Sequence, residues 1–231
     1  MAIVVIDFET TGSSPGQGAR ATEIAAVRVE GGRIVDRWSS LMRSGAWVPP
    51  FIQALTGISN EMLADAPPAE AVMHEAVRFT AGCPLVAHNA AFDRAFWVAE
   101  ARRAGLDQAC HAPFACTVRL SRRLHPQAPN HRLGTLAAWH GLPPAGRAHR
   151  ALADATTTAH LLLRLQAELG LRLQVASIDG VDHALLCAVQ SWPVARIDES
   201  LARWRQGVSP AAPRAAARAS RTSNSSSRTC S

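Results

Sequence analysis

The sequence predicts an α/β domain built on a mixed sheet with helices on its faces. Three observations carry that expectation. A first apolar strand at 2–8 is followed by strand-like stretches at 22–29 and 33–42, the latter two joined by the turn signal Gly31-Gly32, which reads as an antiparallel meander. From residue 68 onward, short strand patterns alternate with helical ones. At 231 residues with 48% hydrophobic content, the chain can fill one domain core and carry an appendage.

The first strand opens with Ile3, Val4, Val5 and Ile6, a β-branched run suited to a buried strand. Residues 49–63 break into short helical pieces, and 68–80 has helical spacing. Residues 84–87 form a short buried strand, and 90–104 a helix that stops at Gly105. Residues 114–118 read as an edge strand, followed by helices near Ser121, over 133–140 and over 150–169. The expectation is therefore five strands with helices packed on them.

After Gly170 the signal weakens. Within "ARIDESLARWRQ", 195–206, Ile197, Leu201 and Trp204 make one apolar stripe at helical spacing. Such a stripe packs either on the chain's own domain or in a groove of a partner. From Gly207 onward Ser, Ala, Pro and Arg dominate, which predicts a disordered tail. The expected division is thus 1–170 as the main domain, 171–206 as a C-terminal appendage with a helical docking segment, and 207–231 as the tail.

The formal charge is +6, but four of the arginines lie beyond residue 206, where there is no acid. A basic balance permits a polyanionic partner without requiring one. No apolar run is long enough to span a membrane, and no signal-type segment opens the chain, so a cytoplasmic location is expected. The five cysteines show no CxxC spacing and read as reduced thiols.

One feature of the first strand is costly. It ends in Asp7 and Glu9, which share a face because residues two apart on a strand point the same way. Like charges that close beside an apolar core are unfavourable unless a cation or a shared proton relieves them. Two further acids raise the same question. Asp93 follows Asn89 in "VAHNAAFD" (86–93), and Asp154 follows His149 in "HRALADA" (149–155). Taken singly, Asp93 reads as a first-turn helix acid, Asp154 as a solvent-facing one and His149 as a lone histidine. Taken together they are carboxylates at the ends of elements that converge on one sheet edge. Hard oxygen ligands of that kind select Mg²⁺ or Mn²⁺ over zinc. Two such ions roughly 4 Å apart can hold the attacking and leaving oxygens of a phosphodiester in line.

In order and spacing, D-x-E at Asp7–Glu9, N-x-x-F-D at Asn89–Asp93 and H-x4-D at His149–Asp154 resemble the DEDDh (DnaQ-like) 3′–5′ exonucleases. The resemblance covers about residues 1–168 and includes "DFETTG", the "TGIS" loop at 56–59 and the helix "HRALADATTTAHLL". It implies an RNase H-like fold, a mixed five-stranded sheet flanked by helices, and a two-metal mechanism with Mg²⁺ or Mn²⁺. By resemblance, Asp7, Glu9 and Asp154 hold one ion, Asp7 with Asp93 serves the other, and His149 is the general base. The branch that uses Tyr in place of this His is excluded, because the chain has no Tyr. Thr10, Thr11 and Gly12 would line the 3′-terminal nucleotide, with Leu55, Thr56, Asn89 and Phe92 around its sugar and base. Two positions depart from the common pattern: Thr56 stands where many members carry His, and Cys116-Thr117 where members often show Asp-Thr.

The activity so implied is hydrolysis of DNA from its 3′ end, releasing nucleoside monophosphates, as in epsilon-type proofreading members. The partners implied are a single-stranded or frayed DNA 3′ end and a DNA polymerase catalytic subunit, with no membrane. The alternatives are an RNA 3′–5′ exonuclease of the RNase T or oligoribonuclease type, and a non-catalytic docking module on the same fold.

Overall fold

The computed structural model of the chain describes residues 1–175 and 177–207. The expected tail thus falls almost wholly outside the described residues. Strands β1 (Ile3–Thr10), β2 (Ala21–Glu30), β3 (Arg33–Leu41), β4 (Leu85–Ala87) and β5 (Phe114–Cys116) form one sheet in the order β3-β2-β1-β4-β5. The first three are an antiparallel meander, while β1, β4 and β5 run parallel. The sheet is mixed, as the sequence predicts, and β1 lies at its centre.

Strand alternation sorts β1 between two cores. Val4, Ile6 and Phe8 face the cluster filled by α3 (Ala69–Thr80) and α4 (Ala90–Arg103). Ile3 and Val5 face the opposite cluster, filled by α5 (Thr117–Leu124), α6 (Leu133–His140) and α7 (Ala151–Leu173). Asp7 and Glu9 continue this second face, and so end against α7. Two short helices, α1 (Pro50–Thr56) and α2 (Asn60–Ala64), sit over a small separate cluster of Val48, Ile58, Leu63 and Ala66.

Helix α7 crosses the sheet with small residues buried in its first half (Ala151, Ala153, Ala155, Thr158, Ala159) and leucines in its second. Small side chains let the helix start lie close to β1 and β2. The buried Leu161, Leu162, Leu165 and Leu169 then supply hydrophobic stabilisation of about 1.5–3 kcal/mol each.

Helix α7 ends at Leu173, four residues past the expected limit of 169. Gly170 does not stop it: it keeps helical backbone, with Val175 and Val181 packed 3.5 and 3.8 Å from where its Cβ would stand, ordinary van der Waals distances. The left-handed residue that ends the helix is Gln174.

Beyond it, α8 (His183–Val189) and α9 (Ile197–Arg205) pack on the same core as α7 through Leu185, Leu186, Ile197 and Leu201, with Trp192 of their connection. Trp204 lies against that core and 6.1 Å from Trp192, ring to ring. The apolar stripe of α9 is therefore occupied by the chain itself. Strand β5 is shorter than the 114–118 expected, because the helical geometry of α5 takes over at Thr117.

Where β2 begins, Arg20 reaches α4. Its guanidinium donates in fork fashion to Glu100 (Nε–Oε1 2.8 Å, Nη2–Oε2 2.9 Å), whose side chain is 1% exposed. Arg20→Ala leaves that carboxylate buried, with Arg103 at 3.5 Å as its remaining cation. The expected loss of unfolding free energy is about 3 kcal/mol in chemical denaturation, the lower end for a broken buried pair. A loss below about 1 kcal/mol would mark the bridge as an ordinary surface pair.

Candidate active site

The meander and the parallel edge part company at the end of β1, and the site is built there. Strand β4 stops at Ala87 while β1 runs on to Thr10. On that edge the Val4 N–H donates to the Pro84 carbonyl, whereas the Phe8 N–H has outrun the partner strand and donates to Asp93 Oδ1 at 3.2 Å. Asp93, in the first turn of α4, is 2% exposed and sits behind the cleft wall.

On the other side, Glu9 lies opposite Glu23 of β2, next to a bulge that leaves Thr22 unmatched. Glu23 binds the start of α7 twice over. It takes Arg150 Nε and Nη2 at 3.1 and 2.8 Å, and its Oε2 accepts the Ala151 N–H at 2.9 Å. An acid at a helix start is favoured by the helix dipole, and this one fixes the helix end against β2. Asp154, in the first turn of α7, thereby comes over Glu9, and its Oδ2 accepts the His149 backbone N–H at 3.0 Å. Ligand atoms of Glu9, His149 and Asp154 all lie within 4.8 Å of one another.

Among the described residues, three non-glycines have positive φ, and two of them are in this site: Asn89 at 64° and His149 at 61°. Left-handed backbone at such residues is costly and is held by its surroundings. Here it turns the chain sharply into α4 and α7.

A cleft of about 960 Å³ opens over these residues. Asp7, Glu9, Thr10, Thr11, Gly12, Leu55, Thr56, Asn89, Phe92, His149 and Asp154 all line it, and Asp93 lies just beneath. Several lining groups are already engaged. Thr10 Oγ1 donates to the Gly12 carbonyl, Thr11 Oγ1 accepts the Arg20 N–H, and Thr56 Oγ1 is bonded to the Ile52 carbonyl and the Ile58 N–H. These hydroxyls shape the loops.

Three residues of the site have no place in the sequence expectations. Glu23 carries the signal that singled out Asp7 and Glu9, an acid in an apolar strand. His88 lies beside Asn89 with both ring nitrogens engaged, Nδ1 with Thr117 Oγ1 and Nε2 with the His131 carbonyl. Burial holds its pKa down to about 4. Phe51 lines the cleft mouth at 70% exposure and has no periodicity to betray it.

The electrostatics show strain that a cation would relieve. Burial, followed by repulsion from Asp93, Asp154 and Glu9, raises the Asp7 pKa well above the carboxylate range. Burial, then Asp154, lifts Glu9 to about 7, and burial lifts Asp93 to about 8. Asp154 is raised by burial as well. Arg150, the arginine whose charge opposes the shift at Glu9, is committed to Glu23. A donor set dominated by carboxylate oxygens, with His149 beside it and surplus negative charge, fits hard divalent ions.

A mixed sheet of this order, with carboxylates gathered at the end of its central strand, defines an RNase H-like nuclease of the acidic, metal-dependent class. The chain belongs to the exonuclease (RNase T) family, whose model matches residues 4–162. It is 35% identical over 166 residues to the DNA polymerase III subunit epsilon of Aquifex aeolicus, covering 72% of this chain and 81% of that one. It is 39% identical over 170 residues to the 3′-5′ exonuclease DinG of Bacillus subtilis, but spans 18% of that protein's length against 72% of its own. Among solved structures, Exonuclease X in complex with 5′ overhanging duplex DNA is similar, with a TM-score of 0.57 and 30% identity over 73% of this chain and 93% of that one.

The raised carboxyl pKa values have a definite sign for stability. A carboxyl with a higher pKa in the folded chain binds more protons folded than unfolded, so stability falls as pH rises between the two values. In chelator, the melting temperature is expected to fall as pH rises from the ordinary carboxylate range, 3.8 to 4.5, to about 8. Added Mg²⁺ at the upper end should restore it. A melting temperature independent of pH and of Mg²⁺ would show that the carboxylates do not share one desolvated site.

Proposed function

We propose that the chain is a metal-dependent 3′–5′ exonuclease acting on DNA. The observation that carries this reading is the meeting of Asp7, Glu9 and Asp154 with His149 in one cleft, with Asp93 directly behind its wall. In this reading Asp7, Glu9 and Asp154 hold one Mg²⁺ or Mn²⁺, and Asp7 with Asp93 serves a second. Such ions supply Lewis acidity at the phosphoryl oxygens and lower the pKa of bound water.

The chain's own residues do the rest. Phe51, Leu55 and Phe92 flank the 3′-terminal nucleotide, and Phe92 is braced by Phe96 at 4.9 Å between ring centroids. Backbone groups of Thr10, Thr11 and Gly12 line its sugar, with Thr56 and Asn89 at the edges. His149 takes the proton of the attacking water as that oxygen bonds to phosphorus. The bond from phosphorus to the 3′ oxygen of the preceding nucleotide breaks and that oxygen takes a proton from solvent, so that a nucleoside 5′-monophosphate and a new 3′ hydroxyl result. Asp154 holds His149 in register through its backbone N–H, and Glu23 with Arg150 fixes the helix end on which both depend.

DNA is favoured over RNA by the similarity to the polymerase III epsilon subunit and to Exonuclease X, which was captured on DNA. The protein partner this reading names is a DNA polymerase catalytic subunit. It would have to use a surface other than the α9 stripe, which the core occupies. No described helix is long and apolar enough to cross a membrane. The free thiols of Cys83, Cys110, Cys116 and Cys187 accord with a cytoplasmic setting.

Purified protein with Mg²⁺ should degrade 3′-labelled single-stranded DNA and mismatched duplex ends faster than RNA of the same sequence. A preference for RNA would move the reading to the RNase T or oligoribonuclease type. Asp7→Ala and Asp154→Ala are expected to abolish turnover without unfolding the chain, and near-normal turnover in either would overturn the metal assignment. His149→Ala should lower kcat by about 10²- to 10⁴-fold. A near-normal kcat in this variant would reject His149 as the base.

A further inference from the structure

A second cleft, also of about 960 Å³, adjoins the catalytic one. The two share His88, Asn89, His149 and Asp154, and otherwise have separate walls. The second is walled by α5, by the segment 130–132 and by the first turn of α6, and none of these enters the reading above.

Its chemistry differs from the first. Arg122 on α5 and Arg132 just before α6 are both exposed and line it. Neither has a carboxylate within ion-pair distance among the described residues. Among the described residues, no acidic side chain lines this cleft except Asp154, at the catalytic boundary. The local field is positive: after burial, the charge of Arg122 is what opposes protonation of His131.

The backbone agrees with the side chains. Arg132 gives α6 no side-chain cap, and the first amide to find a helical partner is that of Leu136, bonded to the Arg132 carbonyl at 3.0 Å. The amides of Leu133, Gly134 and Thr135 are left for a ligand in the cleft, and nothing stands within 4 Å of where a Gly134 Cβ would be. Two unpaired guanidinium groups and a positive helix end, continuous with a phosphodiester-cleaving centre, suit phosphates spaced along a strand.

We propose that this second cleft seats the sugar–phosphate backbone of the substrate strand on the 5′ side of the scissile phosphate, with Arg122 and Arg132 as its positioning residues. The inference rests on the exonuclease reading, since a strand whose terminal nucleotide fills the first cleft passes His149 and Asp154 into the second. Contacts of this kind read charge and spacing and carry no base identity. They raise affinity for longer substrates and leave the chemical step unchanged.

The test uses Arg122→Ala, Arg132→Ala and the double variant of the full chain, with two substrates. One is an oligothymidylate long enough to fill both clefts. The other is the nitrophenyl ester of thymidine 5′-monophosphate, which reaches the first cleft alone. On the oligonucleotide, KM should rise about tenfold in the double variant at unchanged kcat, as expected when binding common to ground and transition states is lost. Hydrolysis of the nitrophenyl ester should not change.

Oligonucleotide binding, followed by fluorescence anisotropy in chelator, should lose salt dependence by about 0.7 in log–log slope per arginine removed. Arg122→Lys and Arg132→Lys should keep the slope. An unaltered KM and salt slope in the double variant would overturn the proposal, and so would an equal loss on both substrates. If the wild-type chain hydrolyses neither substrate, the exonuclease reading fails. The anisotropy measurement then decides the cleft by itself, a retained slope in the double variant overturning it.

Discussion

Four carboxylates, two buried and two half-buried, gathered at the end of one strand repel one another, and much of the structure around them answers that repulsion. Two of the acids are held by backbone donors, and a fifth carboxylate places the helix that carries one of them. The Phe8 amide holds Asp93, the His149 amide holds Asp154, and the double clamp on Glu23 sets the helix that brings Asp154 over Glu9. These contacts stabilise the charged forms only partly, since the pKa values stay high. A site that was electrostatically content without a cation would have little reason to bind one. In the metal-dependent reading proposed above, this residual strain would drive cation binding, and a hydrogen-bonding environment rich enough to depress those pKa values would weaken it.

The geometry follows from strand length as much as from side-chain identity. Because β4 is shorter than β1, one edge of the central strand loses its partner just where the acids begin. The freed amide needs an acceptor, and Asp93 supplies it. On the opposite edge β2 is long enough to stay paired, so Glu23 sits beside Glu9 and can reach the helix above. Unequal neighbours give the last turn of β1 two different walls, one apolar with α4 behind it and one polar with α7.

Much of this was legible from the residues. The β-branched run at 3–6, the Gly31-Gly32 turn and the spacing of "HRALADA" place β1, the meander and α7. Acids that break an apolar strand mark the site, because burying charge is so unfavourable that it rarely occurs without cause. Glu23 broke its strand in the same way and went unread, because its role depends on a helix more than a hundred residues later. Phe51 and the cleft beside Arg122 were beyond reach for another reason. Exposure carries no periodicity, and a surface assembled from three elements is a tertiary fact. The run past Gly170 was illegible because glycine reads as a stop, whereas here Gly170 keeps helical backbone and the helix turns only at Gln174.

That last detail bears on what counts as the smallest independent piece of this protein. The family match closes at residue 162, inside α7, but the leucines of the same helix at 165 and 169 are wholly buried, in one cluster with Val181, Leu185, Leu186 and Leu201. Severed at the family boundary, the sheet would present a bare oily flank to solvent and would be prone to self-association. The stretch that inheritance marks as a module and the stretch that shares one buried core therefore have different ends. The chemistry is written in the shorter stretch, but it is the longer one that must hold together for the carboxylates to meet.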